Sequence, residues 1–446
     1  MPIETATLVI VAALFVLMLA GIPLGVVTLT VSVATALAYF GPAGMGLVGR
    51  QIVGVLENYS FVAVPLFVLM ASLMERAGVG HDLFDAMSLF SGRLRGGVAV
   101  QTIAVAVLMA AMAGVIGGEI MMLGLIALPQ MLRLGYDRKL SMGAICAGGS
   151  LATLIPPSIV MVVYGVTANV SIGALFLGGV LPGLMLAAFY VAYILVRVRL
   201  NPALAPAPAA ERAEITAADK RAALRGIAIP LLVVATVLGS IYAGVAAVTE
   251  AAAIGVAGAL VAAAARKKLD LATVLGASRQ TFATVGSIIW LIIGAVSFVG
   301  IYNLIGGQDF MRGLIRGLDL PPLGIVLVMM GILMLLGTFM EWIAILLITV
   351  PIFSPVIADL PFPSVGGADA VKVWFGVLVT INIQVYFLSP PFGPACFFLN
   401  SVTPPEITLQ EIFASVLPFI ALQVLGLALC VIFPDIILFL PRVLGG

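Results

Sequence analysis

The sequence predicts an all-α polytopic membrane protein built from inverted repeats, each a re-entrant helical hairpin followed by a helix broken at a Pro-Pro pair. Three observations predict it. First, 63% of the 446 residues are hydrophobic and only 9% are charged, a balance foreign to water-soluble domains. Second, Glu119 is the sole charge between Arg95 and Arg133, and the small-residue run Ala113-Gly114-Val115-Ile116-Gly117-Gly118 lies at mid-length. As one helix residues 96–132 would extend about 55 Å against a hydrocarbon core of about 30 Å, and as two full spans they are short. A hairpin that turns at Gly117-Gly118 and leaves on its side of entry fits. Arg93, Arg95, Arg133, Arg138 and Lys139 on its flanks agree with cytoplasmic ends. Third, the second half repeats the order. Glu341 is the sole charge between Asp319 and Asp359, beside Gly337-Thr338, and Pro129 and Pro351 follow their glutamates at one spacing. Ile155-Pro156-Pro157-Ser158 interrupts the run after the first hairpin, as Ser389-Pro390-Pro391-Phe392-Gly393 does after the second. An ordered set of features occurring twice indicates a structural repeat.

In chain order, Thr5 to Phe40 reads as two tightly joined spans or one kinked helix, interrupted at Gly21-Ile22-Pro23. Asn58 to Met74 is the next span. Between Glu75 and Arg95, Leu83, Phe84, Met87 and Phe90 recur at helical spacing, which predicts an amphipathic helix at the interface. The first hairpin (97–132) and broken helix (140–165) follow, then a span from Ile172 to Val196. Asn201 to Arg225 is an Ala/Pro-rich linker, and its Arg and Lys residues place it in the cytoplasm. Ile227–Tyr242 and Glu250–Ala265 form an out-and-back pair ending at Arg266-Lys267-Lys268. A short amphipathic piece precedes a span from Phe282 to Leu304. The second hairpin (322–358) has a far flank, Asp359 to Asp369, without Lys or Arg. Tracing the path gives this hairpin a periplasmic entry, opposite to the first, although Arg312 and Arg316 weaken the assignment. The broken helix 371–399 and a span from Ile412 to Leu440 complete the chain.

Several function classes recede. Net charge is +1, which argues against nucleic acid. None of the five lysines follows a glycine, so a Walker-type phosphate loop is absent. The single histidine, His81, rules out His-rich metal sites. Cys146, Cys396 and Cys430 sit in apolar runs and read as buried free thiols. The first Lys or Arg is Arg50, so the first apolar run reads as a membrane segment rather than a signal peptide.

Chemistry concentrates at the breaks, because lipid tolerates no unsatisfied backbone and a broken helix survives only inside protein or beside a polar cavity. The half-helix ending before Pro156 offers free carbonyls, hard ligands suited to Na⁺. The one starting at Pro157-Ser158 offers N–H groups and a positive dipole end, suited to a carboxylate. Each hairpin tip offers the same pair of ends. Two cation sites follow. The first comprises Gly114, Gly117, Gly149, Thr153 and Pro156, and the second Gly337, Met340, Asn382, Ser389 and Pro390. A carboxylate between them would meet Gly118, Glu119, Pro157, Ser158, Thr338, Glu341, Gln384, Pro391 and Gly393. As intramembrane carboxylates, Glu119 and Glu341 read as cation ligands or proton carriers, and they also fit a bland role as acids at helix N-termini. The prolines fit plain kinks, Asn382 and Gln384 fit interhelical hydrogen bonding, and the Met and Phe residues fit packing.

These residues resemble a known family. Ala63-Val64-Pro65-Leu66-Phe67-Val68-Leu69-Met70, Leu128-Pro129-Gln130-Met131 with Gly135-Tyr136-Asp137, Ile155-Pro156-Pro157-Ser158 with Tyr164-Gly165 and Ser171-Ile172, Gly178-Gly179-Val180-Leu181-Pro182-Gly183, Thr249-Glu250-Ala251-Ala252 and the Ser389–Gly393 break occur in order. Together they resemble the large membrane (M) subunit of tripartite ATP-independent periplasmic (TRAP) transporters over nearly the whole chain. The tip Gly117-Gly118-Glu119 replaces a Ser-rich tip of many members. With Phe339-Met340-Glu341-Trp342 it resembles the mannitol/chloroaromatic or 2-oxo acid/lactate branch. The resemblance implies Na⁺-coupled uptake of a small carboxylate across the bacterial inner membrane, with Na⁺ as coupling ion and no covalent cofactor. It implies two partners, a periplasmic solute-binding protein and a small four-helix membrane subunit, expected as a separate chain because Met1 leads directly into the match. It also implies an elevator: transport-domain repeats 96–165 and 321–400 sliding against a scaffold of 1–95, 166–320 and the C-terminal helix 401–446. The alternatives are a standalone Na⁺/dicarboxylate or anion symporter with the same repeat, and an intramembrane enzyme. For the latter the sequence lacks a nucleophile–base pair or metal cluster.

Overall fold

The computed structural model describes residues 1–91, 94–114, 117–205 and 217–444. Among them the chain forms twenty α-helices and no strand. Gly21, in the left-handed region at φ 79°, and Pro23 separate α1 (Ile3–Leu19) from α2 (Leu24–Phe40), so the first apolar run is two helices. Gly41-Pro42 starts α3 (Ala43–Leu56), which the sequence reading left out. A 3₁₀ turn, Tyr59–Val62, leads into α4 (Ala63–Arg76). In α5 (Val79–Ser91) Leu83 and Phe84 are buried, because the helix packs on protein neighbours and not only on an interface.

The first hairpin is α6 (Gly97–Ala113) and α7 (Gly118–Arg133). The helix after it breaks as anticipated: α8 (Arg138–Ser150), a 3₁₀ turn Leu151–Thr153, the Pro156-Pro157 pair, then α9 (Ile159–Ala168). Two long helices flank the linker, whose residues 206–216 lie outside the described ones: α10 (Ile172–Leu200) and α11 (Ala217–Tyr242), which begins inside the stretch read as linker. α12 (Val248–Ala265) returns the chain. The next helix corrects the reading. No proline interrupts residues 271–304 and Asp270 caps their start, accepting from the Thr273 N–H at 2.7 Å, so α13 (Leu271–Leu304) is one continuous helix. α14 (Gly307–Arg316) is a further helix that was not anticipated.

The second hairpin is α15 (Pro322–Gly337) and α16 (Trp342–Ala358), and its broken helix is α17 (Ala368–Leu388) followed by α18 (Pro394–Asn400). The expected last span is also corrected: Pro434 divides it into α19 (Leu409–Ile432) and α20 (Asp435–Leu444).

Six helices among the described residues are long and apolar enough to cross a membrane. The hairpin arms, of 16 or 17 residues, reach about 25 Å and fall short of a full crossing. α17 carries no charged residue after Lys372 and is buried along nearly its whole length. Around it the two hairpin units interlock: α16 and α17 pack on α9, and α18 packs on α7 and α8. α13 lies against this assembly through α16 and against α2, α3 and α4 on its other side. Gly25 and Gly294 let α2 and α13 nearly touch, since a Cβ on Gly294 would sit 2.5 Å from the Gly25 carbonyl oxygen.

Candidate functional site

The first hairpin tip rests on the first break. α6 ends at Gly114 with φ 56°, in the left-handed conformation that favours glycine, and a Cβ there would begin 2.5 Å from the Pro157 carbonyl oxygen. The Ile159 N–H donates to the Gly114 carbonyl at 3.5 Å. Gly149 brings α8 against Ile120 of α7. Within the break the polar groups satisfy one another. Ser158 accepts from the Met161 N–H at 3.4 Å, capping α9, and donates to the Thr153 carbonyl, while the Thr153 hydroxyl donates to the Ser150 carbonyl at 2.9 Å.

The second unit is built alike but open. Gly337 abuts the Tyr386 ring. The Thr338 hydroxyl turns back to the Leu335 carbonyl at 2.7 Å, and the Met340 N–H donates to the Leu336 carbonyl at 2.9 Å. Glu341 occupies the N-cap of α16 with no side-chain capping bond. Ser389 donates to the Val385 carbonyl at 2.7 Å, and the Gly393 N–H donates to the Ser389 carbonyl at 2.9 Å. Pro156 and Pro157 are buried, whereas Pro390 is exposed with Pro391 and Phe392.

A cleft forms where these parts meet. Gly114 comes from the first tip, Ile159 and Val160 from the start of α9, Glu341, Trp342 and Ile343 from the second tip, and Tyr386, Phe387, Phe392, Pro394 and Phe398 from the second broken helix. α13 closes it with Thr284, Ser287, Ile288 and Leu291. It encloses about 950 Å³ of space with its mouth, ample for a small solute. Ile159 and Val160 at the start of α9 and Trp342 and Ile343 at the start of α16 line it, which brings two positive dipole ends to the space. Among the described residues Glu341 is the one charged side chain lining it. Past Ser287, Leu291, Glu341 and Phe392 a second cleft continues to the α1–α2 turn, Trp290, Phe339 and Met340.

The anticipated residues therefore divide. Gly114 and Glu341 line the central cleft, Met340 lines its continuation, and Gly337 stands behind Tyr386. Gly117 meets the Phe398 ring, 3.0 Å from its would-be Cβ, so the first tip also touches the second unit. Other anticipated residues are placed away from the cleft. The Ser158 and Thr153 hydroxyls are engaged inside the break, and Pro156 and Pro157 are buried beneath the tip, because a buried break must satisfy its own polar groups. Glu119 also differs: it faces another cavity, with Gly118 beside Glu75. Gln384 is fully buried, and neither amide atom has a hydrogen-bond partner among the described residues. Asn382 donates to the Met330 carbonyl at 2.7 Å, away from the tip, and so ties α17 to α15. Asn382→Leu is expected to destabilise the protein by about 1 kcal/mol, read as a lower unfolding midpoint in detergent. An unchanged midpoint with a raised KM would instead place Asn382 on the solute.

Thr284 and Ser287 were missed. Their signal was a polar pair at i and i+3, one helix face, inside an otherwise apolar stretch. At the first tip Gly114 lets main chain approach main chain.

Residues 11–436 match the family described as "Tripartite ATP-independent periplasmic transporter, DctM component". The chain is 31% identical to the C4-dicarboxylate TRAP transporter large permease protein DctM of Pseudomonas aeruginosa over 421 residues, 94% of each chain. It is 29% identical to the ectoine TRAP transporter large permease protein TeaC of Halomonas elongata, covering 97% of this chain and 98% of that one. In fold it is similar to MtrF of Neisseria gonorrhoeae, with TM-score 0.61 at 14% identity over 92% of this chain and 94% of that one.

Proposed function

The chain belongs to the DctM component family of tripartite ATP-independent periplasmic transporters, and on that premise we propose that it is the permease subunit of a Na⁺-coupled organic-acid uptake system. The cleft between the two hairpin units carries this reading. Helix N-termini from both units open on it, and they suit a carboxylate without any basic side chain. A Na⁺ at each tip, held by carbonyls near Gly114 and Pro157 and near Gly337, Met340, Ser389 and Pro390, would offset the Glu341 charge beside the solute. Residues 96–165 and 321–400 form the moving part of an elevator, and α13 belongs to the scaffold against which it slides. The two hairpins are re-entrant from opposite sides of the bacterial inner membrane. A periplasmic solute-binding protein delivers the acid, and a small membrane subunit braces the scaffold. The relatives are transporter permeases, and the chain is likewise no enzyme.

The test is uptake of radiolabelled 2-oxo acids, lactate and C4-dicarboxylates into proteoliposomes, with the small subunit and the binding protein added or withheld. Uptake is expected only with both partners and an inward Na⁺ gradient. Uptake by this chain alone would replace the tripartite reading with a standalone symporter.

A further inference from the structure

Glu119 lines a second cavity, which meets the central cleft only at Thr284. It is 2% exposed, and neither carboxylate oxygen has a hydrogen-bond partner among the described residues. Residues of α4, α5, α6, α7 and α13 line the cavity. At its mouth stands Glu75, which is exposed and lies 3.4 Å from the point where a side chain on Gly118 would start. Two acids therefore face one space.

Nothing nearby answers both. Ser72 donates to the Gln280 Oε1 at 3.0 Å, and the Gln280 Nε2 donates to the Glu75 Oε2 at 3.4 Å. Those donors are engaged at the mouth, and their direction leaves Glu119 out. Arg76 joins the same network, donating to Gln280 at 3.4 Å. Two carboxylates against one guanidinium leave a single negative charge. The other helices packed on α7 supply no buried charge to cancel it: α6 and α18 carry no charged residue, the bases of α8, Arg138 and Lys139, are at its far start, and on α5 Asp82 pairs with Arg266 at 2.7 Å while His81 and Asp85 are exposed, as is Arg279 of α13. An ionised carboxylate buried without a partner is strongly unfavourable.

We propose that this cavity is a further cation site, at which a Na⁺ binds between Glu119 and Glu75. The Glu75 and Glu119 carboxylates and the Ser72 and Thr284 hydroxyls that line it are the hard oxygen donors such an ion takes. One monovalent ion balances the residual charge. Met112 and Met122 in the wall keep the site poor in competing water. Glu119 belongs to the first hairpin, and the other donors belong to α4 and α13. The site is thus assembled where the hairpin meets the scaffold, and its occupancy responds to their relative movement. That last role rests on the transport reading above, whereas the binding does not.

The experiment is equilibrium ²²Na⁺ binding to the purified full chain, with K⁺ as counter-ion, for wild type, Glu119→Gln, Glu119→Asp and Glu75→Gln. Glu119→Gln is expected to bind about one Na⁺ fewer per chain, Glu119→Asp to keep the ion, and Glu75→Gln to weaken it by about tenfold. In K⁺ alone, Glu119→Gln should unfold no earlier than wild type, since it removes an uncompensated charge. Unchanged Na⁺ stoichiometry and affinity in both Gln variants overturns the site. A loss that follows pH and is indifferent to Na⁺ overturns it in favour of a proton. Glu75→Gln, at the exposed mouth, decides the matter if Glu119→Gln does not fold. Binding is read without any substrate, so failure of uptake and failure of this site remain distinct.

Discussion

Gly114→Val is expected to reduce uptake to below about one-hundredth of the wild-type rate, as misplacement of a site by about 1 Å can. Three effects act together. The residue holds φ 56°, which costs a side-chain-bearing residue roughly 1–2 kcal/mol and a β-branched one more. Its Cβ would begin 2.5 Å from the Pro157 carbonyl oxygen. That neighbour is backbone in a buried turn, so it cannot swing aside like a side-chain end. The displaced tip would also lose the Ile159 N–H bond to the Gly114 carbonyl, and with it the contact joining hairpin to break. Gly239→Val is the control, because nothing lies within 4 Å of a Cβ at that position. Normal insertion with lost uptake at 114, and retained uptake at 239, is the expected pair. Wild-type uptake from Gly114→Val would detach the first tip from transport.

Ser287→Trp should abolish uptake by a different route. Ser287 is exposed on α13, lines the central cleft and its continuation, and spends its hydroxyl only on the Ala283 carbonyl at 3.1 Å. An indole there fills space and disturbs no packed neighbour. Stability should stay within about 0.5 kcal/mol of wild type, while uptake falls at least about 100-fold, equivalent to about 2.7 kcal/mol at the barrier. The split between stability and transport separates this variant from Gly114→Val. Near-normal uptake would show that the solute passes elsewhere.

Much of the architecture was legible because lipid makes sequence signals severe. A lone glutamate between arginines, a glycine-rich midpoint and a Pro-Pro pair each mark a backbone event, and backbone events define this fold. The continuity of α13 was less legible, since Arg279 and Gln280 resemble an interfacial end until Arg76 and Gln280 are found hydrogen-bonded to each other. The site was read only in part. Glycines reported where backbones approach, as at Gly114 and Gly337. Side-chain roles did not follow from the repeat: Glu119 and Glu341 hold matching positions, yet one faces Glu75 and the other the central cleft. Helix rotation and the neighbours that surround each tip decide this, and neither is encoded in spacing. Ser158 likewise had the right type and place to bind a ligand but is committed to Thr153.

The most direct test is to tie the two sides of the central cleft together. Leu291 of α13 and Phe392 of the second break line both parts of the cleft. Leu291→Cys and Phe392→Cys, bridged by a short reducible bifunctional thiol reagent, would join α13 to the second break. The native Cys146, Cys396 and Cys430 are buried, and the parent chain controls for them. If the hairpin units move against α13, uptake stops when the bridge forms and returns when it is reduced. Undiminished uptake with the bridge fully formed would contradict that motion.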